Sequence, residues 1–135
     1  MTKKNPNQLI RILHDHLKDR VQFALVYGSI LKPSFHQHSD VDVALFTKFF
    51  GTCISERLNF QEDLGELIHR DVDVVLLDQA DLIITMQILA NGRLIVNNDP
   101  KTFIEFKALK ISQYIDFKIS RAILEKHMLK GRIYA

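Results

Sequence analysis

Apolar residues recur along this chain with two periods, and each period marks a kind of element. Leu9, Ile10, Ile12, Leu13 and Leu17 form one stripe at helical spacing, behind a start signal of Asn5 as N-cap and Pro6 in the first turn. Val21 to Tyr27 is apolar, rich in strand formers and closed by Gly28-Ser29. Residues 30–39 (ILKPSFHQHS) break every pattern and predict a turn followed by irregular chain. Asp40 to Phe46 alternates polar and apolar, the mark of a strand with two different faces. Residues 54–69 read as a helix with Leu58, Leu64, Leu67 and Ile68 turned inward, and Val72 to Leu77 as a third strand. A further helix follows, capped by Asp78 or Asp81 and ended by Asn91-Gly92, then a short strand at 94–96. From Asp99-Pro100 a long helix runs to about Leu129.

These elements predict a small α+β (α/β) fold, a mixed sheet flanked by helices, with 1–135 as a single domain that includes the long C-terminal helix of about 100–129. The last helix has more apolar positions than one buried stripe needs. Phe103, Phe106, Tyr114 and Phe117 are expected in the core, with part of the remainder at an interface.

Composition narrows the classes. At 47% hydrophobic and 25% charged, the chain has an ordinary globular balance. A net charge of +2, with Lys3-Lys4 as its short basic start, is too weak for wrapping nucleic acid, so no direct nucleic-acid binding is expected. No apolar run approaches a membrane span and the start lacks a signal-peptide core, so no membrane partner is expected. Cys53 stands alone, as a small buried or half-buried residue, which suits a reducing cytoplasm.

The chemistry lies in YGSILKPSFHQHSDVDVALF. Gly28-Ser29 ends one strand, ten residues intervene, and Asp40-Val41-Asp42 opens the next. Residues i and i+2 of a strand share a face, so Asp40 and Asp42 stand side by side while Val41, Val43 and Leu45 enter the core. Two like charges this close repel, and a hard divalent cation relieves them. Glycine lets backbone approach a phosphate, and the Ser29 hydroxyl can donate to it. Asp-x-Asp alone is usually a solvated strand end, and Gly-Ser alone a turn. Together, in strand–loop–strand context, they describe phosphoryl or nucleotidyl transfer. His36 and His38 read as solvated loop residues, and His14 and His16 as the polar side of the first helix.

The spacing Gly28-Ser29, ten residues, Asp40-Val41-Asp42 resembles the signature of the polymerase-beta-like nucleotidyltransferases. The small size resembles their minimal branch, the MNT proteins, which are often encoded beside a HEPN partner as an antitoxin. The resemblance implies that Asp40 and Asp42 hold metal with a third carboxylate from a neighbouring strand, using two Mg²⁺ ions, or Mn²⁺, with ATP as substrate. Asp71 and Asp73 are the candidates for that third position. Asp73, flanked by valines within the strand, is favoured over Asp71, which lies nearer the loop. The set Asp40, Asp42 and Asp73 is thus expected to be both catalytic and metal-binding. Gly28, Ser29, Lys32 and Ser39 are candidates for the phosphates. Lys32-Pro33 stands where many relatives carry Arg-Gly, which removes a bidentate contact to phosphate. The resemblance further implies transfer of AMP to a protein, a tyrosine of a cognate HEPN toxin, within a homodimer or hetero-oligomer. A contact-only antitoxin and a small-molecule transferase, for example one acting on an aminoglycoside, are the alternatives.

Overall fold

The computed structural model describes residues 5–47 and 54–134, with side chains described at 5–47 and 55–130. Cys53, Lys3 and Lys4 lie outside the described residues. The elements run α1 (Pro6–Leu17), β1 (Phe23–Tyr27), a 3-10 turn (Gly28–Leu31), β2 (Val41–Phe46), α2 (Ile54–Ile68), β3 (Val72–Leu76), α3 (Leu82–Asn91), β4 (Arg93–Asn97) and α4 (Pro100–Tyr134). The strands form one mixed sheet in the order β3-β2-β1-β4. β1 is antiparallel to β2 and β4, and β2 is parallel to β3.

Strand alternation splits the core in two. Ala24, Val26, Val41, Val43, Leu45, Val72, Val74 and Leu76 point to one face, where Leu9, Leu13 and Leu17 of α1 and Phe60, Leu64 and Ile68 of α2 cover them. Phe23, Leu25 and Ala44 face the other way, against Ile88 and Leu89 of α3 and Phe106 of α4. Phe23 anchors that second core, stacked on Phe46 at 4.7 Å and edge-on to Phe103 at 4.9 Å. Helices therefore cover one face fully. On the other they gather at its far end, and Tyr27 packs, half-buried, against that second cluster beside Asp42.

Local chemistry sets the helix ends. Asn5 and Gln8 form a reciprocal capping box at α1, the Asn5 side chain accepting from Gln8 N at 2.8 Å. Asp81, not Asp78, caps α3, accepting from Ile83 N at 2.7 Å. Along α2 the buried stripe is Phe60, Leu64 and Ile68, a strict i, i+4, i+8 row; Leu58 and Leu67, expected inward, are 49% and 36% exposed. β1 begins at Phe23, although Val21 ahead of it is buried. Asp40 was expected to open β2; the strand begins at Val41 and Asp40 is the last loop residue. β4 is longer than expected, and α4 continues five residues past Leu129, to Tyr134. Within α4, Phe106 is buried and Phe103 and Tyr114 half-buried, but Phe117 is exposed at 41%, because the helix has by then left the body.

Candidate active site

The site sits where β1 ends and β2 and β3 begin. Tyr27 pairs with Asp42 across the β1–β2 ladder, and Asp42 pairs with Asp73 across β2–β3. Three neighbouring strands thus present a phenol and two carboxylates in one row, with strands about 4.8 Å apart. Asp42 is half-buried, Asp73 and Asp40 exposed. Asp42 is pushed up from the usual carboxylate range, first by burial, then by the charge of Asp73, then by that of Asp40. Burial, followed by the charges of Asp42 and Asp73, also pushes Tyr27 well above its ordinary range. Tyr27 lies beside Asp42 on the same face.

Gly28 is required by geometry. Its φ is +78°, and a Cβ placed there would lie 2.3 Å from Asp42 Oδ2. The chain therefore turns at Gly28 directly against the Asp42 carboxylate. Ser29 follows in the 3-10 turn, and its Oγ donates to the Asp40 carbonyl at 3.3 Å, tying the two halves of the motif together. Lys32 closes that turn, donating from its backbone N to Ser29 O at 2.9 Å while its side chain stays exposed. The Ser39 hydroxyl accepts from His36 N at 3.0 Å and so braces its own loop. His36 and His38 are exposed, with His36 Nδ1 accepting from His38 N at 3.1 Å. Asp71 is exposed, and its carbonyl accepts from Val41 N at 3.0 Å.

The donor set suits a hard divalent cation. It consists of carboxylates only, and Asp42 carries a charge that burial and two acidic neighbours disfavour until something positive meets it. Among the described residues, no three acidic, histidine or cysteine side chains are already gathered into a ligand cluster. Asp40, Asp42 and Asp73 form an electrostatically coupled row rather than a finished cage.

Arg70 escaped the sequence reading. It leaves the α2–β3 turn, stacks on Phe35 at 4.5 Å and donates to the carbonyls of His36 and Ser39. The available signal was a lone arginine two residues before a strand, which says nothing of direction.

A mixed sheet with paired carboxylates on adjacent strands, beside a glycine turn that abuts one of them, is the arrangement expected of a nucleotidyl-transfer site. Comparison with known proteins agrees: the family described as "Polymerase beta, Nucleotidyltransferase" matches residues 7–101. The chain belongs to that family. It is similar to the protein adenylyltransferase MntA of Shewanella oneidensis, 27% identical over 93 residues, which make up 69% of this chain and 66% of that protein. The match thus spans just under two thirds of the relative's length. A solved toxin–antitoxin structure with AMP-PNP is 25% identical and superposes with a TM-score of 0.71, over 93% of this chain and 99% of the other. A tri-AMPylated Shewanella oneidensis HEPN toxin in complex with an MNT antitoxin is a further neighbour, at 23% identity and TM-score 0.66 over 92% and 96% of the chains; at that identity the likeness is one of fold. Among the described residues no helix is long and apolar enough to cross a membrane.

Proposed function

We propose that this chain is a metal-dependent adenylyltransferase that moves AMP from ATP to a tyrosine of a cognate HEPN-type toxin, and so acts as its antitoxin. The observation that carries the reading is the in-register pair Asp42–Asp73 beside Gly28, whose missing side chain leaves room for the Asp42 carboxylate. Family membership supplies the reaction type. The name of the MntA relative supports a protein acceptor, and the toxin–antitoxin neighbour with AMP-PNP supports a toxin partner and an adenine nucleotide substrate.

Asp42 and Asp73, joined by Asp40, are the proposed holders of two Mg²⁺ ions, with Mn²⁺ as a substitute. Held there, a divalent ion would neutralise phosphate charge and lower the pKa of the attacking hydroxyl. The backbone at Gly28-Ser29, the Ser29 hydroxyl and the Lys32 ammonium are the proposed contacts of the triphosphate, with Ser39 of the same loop as a further candidate. The acceptor tyrosine oxygen bonds to the α-phosphorus, the bond from that phosphorus to the α–β bridging oxygen breaks, and pyrophosphate leaves. The phenolic proton passes to a carboxylate of the row, for which Asp73, the more exposed of the in-register pair, is the candidate base.

Calorimetry with ATP tests the site. Binding is expected with Mg²⁺ or Mn²⁺, absent with chelator, and absent in the Asp40→Ala/Asp42→Ala variant. Equal binding by that variant refutes the assignment. Contact-only neutralisation is the second reading, favoured by the exposed apolar side chains of α4. It requires the same variant to silence the partner as well as the wild type does.

A further inference from the structure

The loop between Gly28-Ser29 and Asp42 delivers Asp40 to the site, yet its own bonds are few and local. They include Phe35 N to Lys32 O at 3.1 Å, Ser39 N to His36 O at 3.0 Å, the Ser39 hydroxyl brace to His36, and His38 N to His36 Nδ1 at 3.1 Å. The Ser29 hydroxyl ties the loop's far end to the 3-10 turn through the Asp40 carbonyl at 3.3 Å, and the remaining attachment to the body comes from a different part of the chain. The Arg70 guanidinium carbon lies over the Phe35 ring, 4.5 Å from its centre, and its Nη1 donates to His36 O at 2.8 Å and Ser39 O at 3.0 Å. Phe35 in turn packs against the α1/α2 core. Next to Arg70, the Asp71 carbonyl accepts from Val41 N at 3.0 Å. Residues 35 to 41 are therefore held at 35, 36, 39 and 41 by two consecutive residues of the α2–β3 turn, and Asp40 lies between the last two of those points.

Arg70 is aimed there by the end of α2. His69 takes a left-handed conformation, φ 55°, and Arg70 N donates back to Gly65 O at 3.3 Å. That is the geometry of a Schellman turn, with His69 at its left-handed position. It reverses the chain so that Arg70 emerges over the loop rather than over the helix.

We propose that Arg70 is a positioning residue for Asp40: its clamp on the His36 and Ser39 carbonyls sets where the Asp40 carboxylate stands relative to Asp42 and Asp73. The proposal rests on the reading of Asp40 as a member of the catalytic row. A guanidinium does this because it covers the Phe35 ring while one of its nitrogens serves two carbonyls at once; the compact, strongly hydrated charge of a lysine is less suited to do both. Losing a geometric constraint of this kind costs turnover more than substrate affinity, because alignment at the reacting centre is what deteriorates.

The test compares wild type with Arg70→Ala and Arg70→Lys, the second keeping the charge and the aliphatic stem should the first fold poorly. Amide exchange is read over 35–41, over 43–45 in β2 and over 60–68 in α2. AMP transfer to the partner is read as kcat and as KM for ATP. Faster exchange at 35–41 alone is expected, by roughly tenfold, with kcat down about 10- to 100-fold and KM for ATP within about threefold. Added methylguanidinium should restore part of the activity of Arg70→Ala and none of any loss in Arg70→Lys. Unchanged exchange at 35–41 overturns the clamp. So does loosening spread equally over β2 and α2, which marks a merely structural role. A loosened loop with unchanged kcat overturns the link to Asp40. If the wild type itself transfers no AMP, the functional reading fails, and the exchange data still decide whether Arg70 holds the segment.

Discussion

Gly28 and Asp42 are coupled by direct contact, and the coupling runs both ways. A methyl group at position 28 would meet Asp42 Oδ2 at 2.3 Å and would have to adopt φ +78°. Gly28→Ala should therefore cost about 1–2 kcal/mol through the backbone alone. It should also displace the carboxylate, so that metal-dependent ATP binding falls further than the melting temperature suggests; thermal melts and calorimetry on one preparation separate the two effects. Asp42 gives a pH prediction. Its folded pKa is raised above the ordinary 3.8, so the folded state favours the protonated form. The stability this confers is complete below the unfolded pKa and is lost as pH rises through the raised folded value. In metal-free buffer at pH 7, Asp42→Asn is expected to raise Tm by about 1–2 °C, a small gain because the site is partly open to solvent. At pH 3 the gain should vanish. Added Mg²⁺ should raise the Tm of the wild type and leave that of the variant in place.

At this scale the sequence was informative wherever a residue type has one strong use. Asp73 was readable as an aspartate among valines, and it stands in register with Asp42. Leu58 and Leu67 were misread because leucine at helical spacing says inward, whereas the helix had room for only one stripe, already filled by Phe60, Leu64 and Ile68. Arg70 was invisible because its direction depends on the conformation of His69.

Among the elements, the helix starts at α1 and α4 were legible, whereas β1 and β2 begin later than their apolar patterns and α4 ends later than its own. Asn5-Pro6 announces α1 through cap chemistry carried in the side chains themselves. The end of α2 carries no glycine at its left-handed position; His69 fills it, and Gly65 serves instead to keep clear of Arg70 O, 3.1 Å from where its Cβ would be. His69→Gly should relieve that conformation and stabilise the fold by about 0.5–1 kcal/mol, read as a shift in denaturant midpoint, with Arg70 still in place. The edge strand β3 is also guarded from α2: Gln61 Oε1 accepts from Val74 N at 3.0 Å, a tertiary contact that no periodicity announces.

For the molecule as a whole, the sheet divides the labour. α1 and α2 fill one face. α3 and the first turns of α4 fill the far end of the other, and the carboxylate row keeps the near end. α4 has 35 residues and so extends about 52 Å, longer than the body needs. From Ile115 to Lys130 every side chain is exposed, including Ile115, Phe117, Ile119, Ile123, Leu124, Met128 and Leu129. Apolar surface on this scale is what the account expects to meet a partner. Ile115→Glu with Ile119→Glu is expected to leave the Tm within about 2 °C, as exposed sites do. It should also abolish co-purification with the partner toxin in a pull-down. The surplus of apolar positions on this helix was legible in the sequence, but where the body ends and the free helix begins was not, since Tyr114 and Phe117 look alike until the packing separates them.

The central claim, transfer of AMP from a metal–ATP site to a partner tyrosine, is tested most directly by intact-mass and fragment mass spectrometry of the HEPN partner co-expressed with this chain. The account expects one or more added AMP masses localised to tyrosine with the wild type, and none with Asp40→Ala/Asp42→Ala. A partner that carries no AMP with the wild type, yet is bound and silenced by it, would contradict the account and leave neutralisation by contact in its place.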